Sequence, residues 1–411
     1  MKILHILPYI PIPPTFGGAL RIFHILDHLQ KHHDVTVAAM GDMGDAAEFK
    51  HRFPALAERT HVVTHPWRQK FRRIIQLYSM FTNHSYWYNH VQSQNMHSLL
   101  NRLCSQQEFD MVQAEFPSMA FFDVPSNATK ILDCHNVEYD NYRRMSELEW
   151  SGIRRFFYQR EYTRFYDEEI EVCRKQDALF VTCRRDKEIL DTDTAEVPKY
   201  IIPNGVDLEY FRPPTIQPEP YSLVFTGMMG YVPNYDAMVY FLDEVFPILQ
   251  KQVPGIHIYI VGNNPPDILA RRESDQVTIT GFVEDVRPFI ARAAVYVVPL
   301  RMGGGTRLKV LEALSMQKPV VTTALGCEGI DVLHEETALI TDEPEAFADA
   351  IIRLLKDQQL QQRLTRNGYQ LVREQYDWRI IGELIERSYQ DITSATIPRT
   401  SRQPEQLTEQ I

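Results

Sequence analysis

The chain has 411 residues, of which 44% are hydrophobic and 24% charged, with a formal net charge of −11. That length suggests two domains, and the balance is that of a globular chain rather than a disordered one. The acidity weighs against nucleic acid as a partner, and the 5 cysteines, Cys104, Cys134, Cys173, Cys183 and Cys327, form no CxxC pair that would point to zinc or a disulfide framework. Such scattered thiols fit a cytoplasmic protein. The opening MKILHILPYIPIPP reads as a first strand rather than a signal peptide, and no apolar run reaches the ~18 residues of a spanning helix.

In chain order, residues 2–7 predict a strand, followed by a proline-rich loop that ends in Gly17 and Gly18. A helix over 19–31 places Leu20, Phe23, Ile25, Leu26 and Leu29 on its inner side, and 34–40 predicts the next strand. Doubly wound sheets bind ligands where such a crossover helix begins, so Gly17 and Gly18 are candidate contacts for an anion or a sugar. Further strands are expected at 61–64, 109–114, 130–134, 178–182 and 200–203. Two of them run into candidate site residues at their carboxyl ends: Glu115 after the strand at 109–114, and His135 after that at 130–134. Two basic-aromatic stretches, 67–88 and 142–165, stand out on an acidic chain. The first opens on Trp67, and the second sets Arg143, Arg144, Arg154, Arg155, Arg160 and Arg164 among Trp150, Phe156, Phe157, Tyr158 and Tyr162. They read either as amphipathic helices with solvated arginines or as surfaces for anionic lipid.

The run RPPTIQPEP at 212–220 predicts a stiff hinge. Beyond it the βα alternation restarts, with strands at 222–226, 257–261, 277–280, 295–299, 320–323 and 338–341. Helices are expected at 234–250, 345–356, 359–375 and 378–390, and a disordered tail from 394. The densest segment is AVYVVPLRMGGGTRLKVLEALSMQKPVVTT at 294–323, which reads as strand, Gly303-Gly304-Gly305, then a helix from Thr306 with Leu308, Leu311 and Leu314 inward. Consecutive glycines before a helix expose backbone N–H groups beside its positive end, which suits a phosphate. Arg301, Arg307 and Lys309 add cations there. The chain therefore predicts an α/β protein of two tandem doubly wound, Rossmann-like domains, 1–212 and 221–375. They are joined by a hinge at 213–220, with 376–392 packing back on the first domain and a site in the cleft between facing strand ends.

Several segments in this order carry a resemblance: Gly17-Gly18 before an arginine-bearing helix, DCHN at His135, ALFVTCRRDKEIL, IIPNGVDLEYF, and 277–323. Together they resemble the retaining nucleotide-sugar glycosyltransferases of glycosyltransferase family 4, which have the GT-B fold, and most nearly the bacterial sugar transferases of polysaccharide gene clusters. The resemblance covers about residues 1–390. It implies transfer of a sugar from a nucleoside diphosphate to an acceptor hydroxyl with retention, by front-face attack, without metal or other cofactor. It assigns the donor to the loop Gly303, Gly304, Gly305 and Thr306, to Gly17 and Gly18, and to Glu312, whose carboxylate would accept from the ribose hydroxyls. The family carries a second acid eight positions before Glu312, where this chain has Gly304. The family's usual Arg and Lys after the first strand of the second domain are also missing, since Gly227-Met228-Met229-Gly230 stands there. Arg307 and Lys309 are expected to serve the diphosphate instead, with Arg301 as a third cation. His135 would contact the sugar and Glu115 the acceptor. The partners implied are a nucleotide-sugar donor and a lipid-linked or membrane-proximal acceptor, at the inner face of the membrane. The rival readings are a nucleotide-sugar epimerase on the same fold and a catalytically silent nucleotide-sugar-binding protein.

Overall fold

Two fully parallel sheets organise the computed structural model, which describes residues 1–64, 72–148, 152–213 and 215–395. The first sheet is built from β1 (Lys2–Leu7), β2 (Asp34–Met40), β3 (Thr60–Val63), β4 (Met111–Glu115), β5 (Thr129–Cys134), β6 (Ala178–Val181) and β7 (Lys199–Ile201). Its spatial order is β3-β2-β1-β4-β5-β6-β7. The second holds β8 (Ser222–Thr226), β9 (His257–Val261), β10 (Val277–Ile279), β11 (Val295–Val298), β12 (Val320–Thr322) and β13 (Leu339–Ile340), in the order β10-β9-β8-β11-β12-β13. Strands such as VYVV of β11 are buried throughout, because helices cover both faces of a parallel sheet and leave no solvated side for polar residues. The strand order reverses between β1 and β4 and again between β8 and β11. Such reversals open a crevice at the carboxyl ends, where ligands bind.

Five helices bear on the site: α1 (Gly17–His32), α2 (Glu138–Leu148), α3 (Gly152–Arg174), α4 (Leu308–Ser315) and α5 (Trp378–Ala395). On α1 the inner stripe is Ala19, Ile22, Ile25, Leu26 and Leu29, and it also contains Arg21. Leu20 and Phe23, expected inside, are only half-buried. Ile381, Ile385, Tyr389 and Ile392 of α5 join Ile22, Ile25 and Leu29 in one core, so the C-terminal helix packs on the first domain. The chain thus crosses between domains twice, and the crossings touch: Val206 N–H donates to the Tyr376 carbonyl at 2.8 Å. The single helix expected over 234–250 is instead interrupted, with a wide turn over Phe241–Val245 between Val232–Tyr240 and Phe246–Gln252. Pro247 has no N–H for the carbonyl four residues earlier, and the hydrogen-bond register slips there.

The basic-aromatic stretches fold largely as helices, and four of their arginines are engaged within the protein. Arg160 donates to the Met80 carbonyl at 2.6 Å and Arg164 to that of His84 at 3.1 Å, while Arg143 and Arg144 pair with Asp140 at 2.7 and 3.0 Å. The exposed groups nearby are apolar: Ile74, Tyr78, Phe81 and Phe156, with Phe81 82% exposed. Residues 65–71, which include the start of the first stretch, 149–151 of the second, Pro214 of the hinge and 396–411 of the tail lie outside the described residues. Among the described residues no helix is long and apolar enough to cross a membrane.

Candidate active site

The carboxyl ends of β1, β4 and β5 face those of β8 and β11 across a cavity of about 480 Å³. Gly17, Gly18, Phe116, His135, Asn136 and Asn204 line it from the first domain. Gly227, Asn234, Gly304, Gly305, Thr306, Arg307, Lys309 and Glu312 line it from the second.

The loop after β11 takes its shape from its glycines. Gly303 and Gly305 have φ of 110° and 79°, a region that other residues enter only at a cost. The helix begins at Leu308 rather than at the expected Thr306, which leaves Thr306 and Arg307 in the loop. Arg307 is 7% exposed. Its Nη1 donates to the Gly304 carbonyl at 2.6 Å and its Nε to that of Leu325 at 3.3 Å. Its buried Nη2 has no partner among the described residues. Lys309 reaches back from α4 to the end of β8, donating to Asn234 Oδ1 at 2.8 Å over the Phe225 ring. A Cβ on Gly227 would stand 2.8 Å from its ammonium. Burial, and then the charge of Arg307, lower the Lys309 ammonium to about 7, while burial raises the Glu312 carboxyl to about 7. A buried guanidinium with an N–H group unpartnered among the described residues, beside a half-buried ammonium, forms a receptor for an anion.

Gly303 and Arg301 do not line the cavity. Gly303 supplies the turn, and Arg301 points away, pairing with Asp236 at 2.8 Å over the Tyr240 ring. Gly304 has a steric explanation. A Cβ there would collide with Asn141 Oδ1 on α2, and one on Gly305 would lie 2.7 Å from Asn136 Oδ1. The first domain docks so closely on this loop that the acid of the resembled family has no room.

On the opposite wall, His135 directly follows β5. Its Nε2 meets Glu115 Oε2 at 2.6 Å, and its ring stacks on Phe116 at 3.7 Å between centres. Glu115 does not reach the cavity. It is 0% exposed, and its other oxygen meets His5 and accepts from Gln113 at 2.8 Å. Burial alone would raise its carboxyl, but His5 and His135 hold it well below the usual carboxylate range. The contact with an acceptor expected for Glu115 therefore gives way to a positioning role. With Nε2 engaged by Glu115, the other ring nitrogen, Nδ1, is the one left to meet a ligand.

Sequence reasoning passed over Arg21. It is fully buried, grips Asp133 through Nε and Nη2 at 2.9 and 3.0 Å, and donates through Nη1 to the Ile202 and Pro203 carbonyls at 2.9 and 3.1 Å and to Asn204 Oδ1 at 3.3 Å. Asn204 in turn donates across the cleft to Thr306 Oγ1 at 3.1 Å. An arginine at core spacing within an apolar helical stripe was the available signal. Beyond Phe116 lies a second cavity of about 780 Å³, confined to the first domain and lined by Tyr9, Ile10, Met40, Trp87, Val91, Phe165 and Glu138 among others. Phe116 lines both cavities.

The family model described as "Glycosyl transferases group 1" matches residues 220–357. The chain is 22% identical over 295 residues to an uncharacterized 44.6 kDa protein in the cps region of Klebsiella pneumoniae, covering 68% of this chain and 74% of that one. It is 26% identical over 223 residues to the lipopolysaccharide core biosynthesis mannosyltransferase LpcC of Rhizobium leguminosarum bv. viciae, covering 49% and 61%. The structure of Anabaena HepE in complex with UDP superposes with a TM-score of 0.66 at 13% identity, over 95% of this chain and 100% of that one.

Proposed function

We propose that this chain, which shares the GT-B fold and matches the group 1 glycosyltransferase model over residues 220–357, moves a sugar, with retention, from a nucleoside diphosphate to the hydroxyl of a lipid-linked acceptor in polysaccharide or glycolipid synthesis. The observation that carries the donor half is the buried, unpartnered Nη2 of Arg307 beside Lys309 in the interdomain cavity. The HepE structure, a complex with UDP, supports a UDP-type donor. In this reading the diphosphate bridges Arg307, Lys309 and the start of α4, and Glu312 accepts from the ribose hydroxyls. His135 Nδ1 accepts from a sugar hydroxyl.

The acceptor oxygen forms a bond to the anomeric carbon as the carbon–oxygen bond to the diphosphate breaks. The electron pair goes to the leaving diphosphate, whose phosphate oxygen takes the acceptor's proton. Catalysis is then positioning together with stabilisation of charge that grows on the leaving group, at a place where the cations already stand. That positive charge lets the reaction proceed without a metal. Exposed Ile74, Tyr78, Phe81 and Phe156 support peripheral docking on the inner face of a membrane. The second cavity supports transfer over epimerisation, which needs no place for an acceptor.

Calorimetric titration with UDP and GDP tests the donor half. Arg307→Ala is expected to weaken nucleoside-diphosphate binding by about tenfold or more, the worth of one hydrogen bond to a charged group. Wild-type affinity in that variant would overturn the assignment.

A further inference from the structure

The larger cavity holds a carboxylate that the site described above does not use, linked to the donor cavity through Asn136. Glu138 opens α2 and lines the 780 Å³ chamber. Asn136, which lines the donor cavity, donates to its Oε1 at 3.3 Å, and Asn141 also bonds to it. Its backbone is fixed, because Glu169 accepts from the N–H groups of Glu138 and Tyr139 at 3.1 and 2.9 Å. Three nearby carboxylates have basic partners, Asp133 in Arg21, Glu115 in two histidines and Asp140 in three arginines, whereas Glu169 has backbone N–H groups, and Asp42 and Asp45 also line the chamber. Glu138 has no ion pair among the described residues and only amides for partners. A half-buried carboxylate with amides alone for side-chain partners keeps capacity to accept from a proton donor that enters the chamber. The Tyr9 hydroxyl, lining the same chamber, is likewise buried without a partner among the described residues. The rest of the wall is largely apolar, through Ile10, Met40, Val91 and Phe165.

We propose that Glu138 receives the attacking hydroxyl of the acceptor, and that this acceptor is an amphiphile whose apolar body fills the 780 Å³ chamber. The assignment rests on the transfer reading. Glu138 accepts the hydroxyl's hydrogen bond and turns an oxygen lone pair toward the anomeric carbon. As the new bond forms, the O–H hydrogen swings from Glu138 to the leaving phosphate, which takes the proton, so bonds and charges balance as in the reaction above. Phe116, the side chain shared by both cavities, separates the apolar body from the sugar.

The test uses the full chain with two small probes, n-octanol and methyl octyl ether, which differ in the hydroxyl donor. Trp87 lines the chamber and reports occupancy by fluorescence, with Trp87→Phe as the control that removes the signal. The wild type is expected to bind octanol between about tenfold and a hundredfold more tightly than the ether, the range of a hydrogen bond to a charged group. Glu138→Leu should bind the two equally while its affinity for UDP stays within about twofold. Glu138→Gln, which preserves the shape should the leucine variant not fold, should cut the preference to a few-fold. Equal binding in the wild type, no response of Trp87 to either probe, or a preserved preference in both variants would overturn the proposal. A wild type that binds neither UDP nor GDP would refute the transfer reading instead, and the octanol preference would still decide whether Glu138 receives a hydroxyl.

Discussion

Lys309 makes donor binding a proton-linked event. In the free protein its ammonium is held near 7 by burial and by Arg307, so above that pH the free site carries mostly neutral lysine. A diphosphate favours the charged form, and binding must draw in a proton. The sign follows directly: affinity falls as pH rises, because an increasing share of the binding energy goes into protonating the amine. With a free-state value near 7, the charged fraction drops close to tenfold between about pH 8 and about pH 9, and the dissociation constant should rise by nearly the same factor. The groups facing Lys309 are Arg307, which stays charged in this window, and Glu312, raised to about 7. Ionisation of Glu312 favours its bonds to a diol as pH rises and is largely complete by pH 8, so the upper window isolates the lysine. Titration with UDP in buffers of differing ionisation enthalpy reads proton uptake directly, and Lys309→Arg should flatten the profile. An affinity independent of pH between 8 and 9, or proton release on binding, would refute the reasoning.

Two further outcomes are expected. Gly304→Ala places a Cβ against Asn141 Oδ1, so it should disturb interdomain docking and lower UDP affinity; Asn141→Gly in the same chain should restore it, and failure of that rescue, measured by calorimetry, would discount the contact. Arg21→Met leaves Asp133 charged in the core and should cost about 3–5 kcal/mol in urea unfolding, with Asp133→Leu recovering most of it; a stability unchanged by the single substitution would show that the pair is replaceable.

Repeating local patterns made most of the fold legible. β1, β2, β8 and β9 have the extents expected from their apolar runs, and glycine with cation marked the loop after β11. What escaped depends on partners distant in sequence. That Gly304 is glycine because of Asn141 requires knowing that α2 of one domain meets a loop of the other. Arg301 and Arg307 look alike in sequence, yet Asp236 claims one and the cavity receives the other. Glu115 stands at a strand end as a ligand group would, but His5, lying on the adjacent β1, closes over it. The interruption at 241–245 was locally readable from Pro247, since proline's missing donor acts within one turn.

The paired crossings at Val206 and Tyr376 carry a mechanical meaning. Two covalent strands that pass side by side resist twisting of one lobe on the other far more than they resist folding about the line they define. The molecule is left with essentially one soft motion, a jaw-like swing whose pivot lies at those crossings and whose free ends are α2 and the glycine loop. A peptide rotation of a few degrees at the pivot is amplified by the lever arm into a displacement at Asn141 and Gly304.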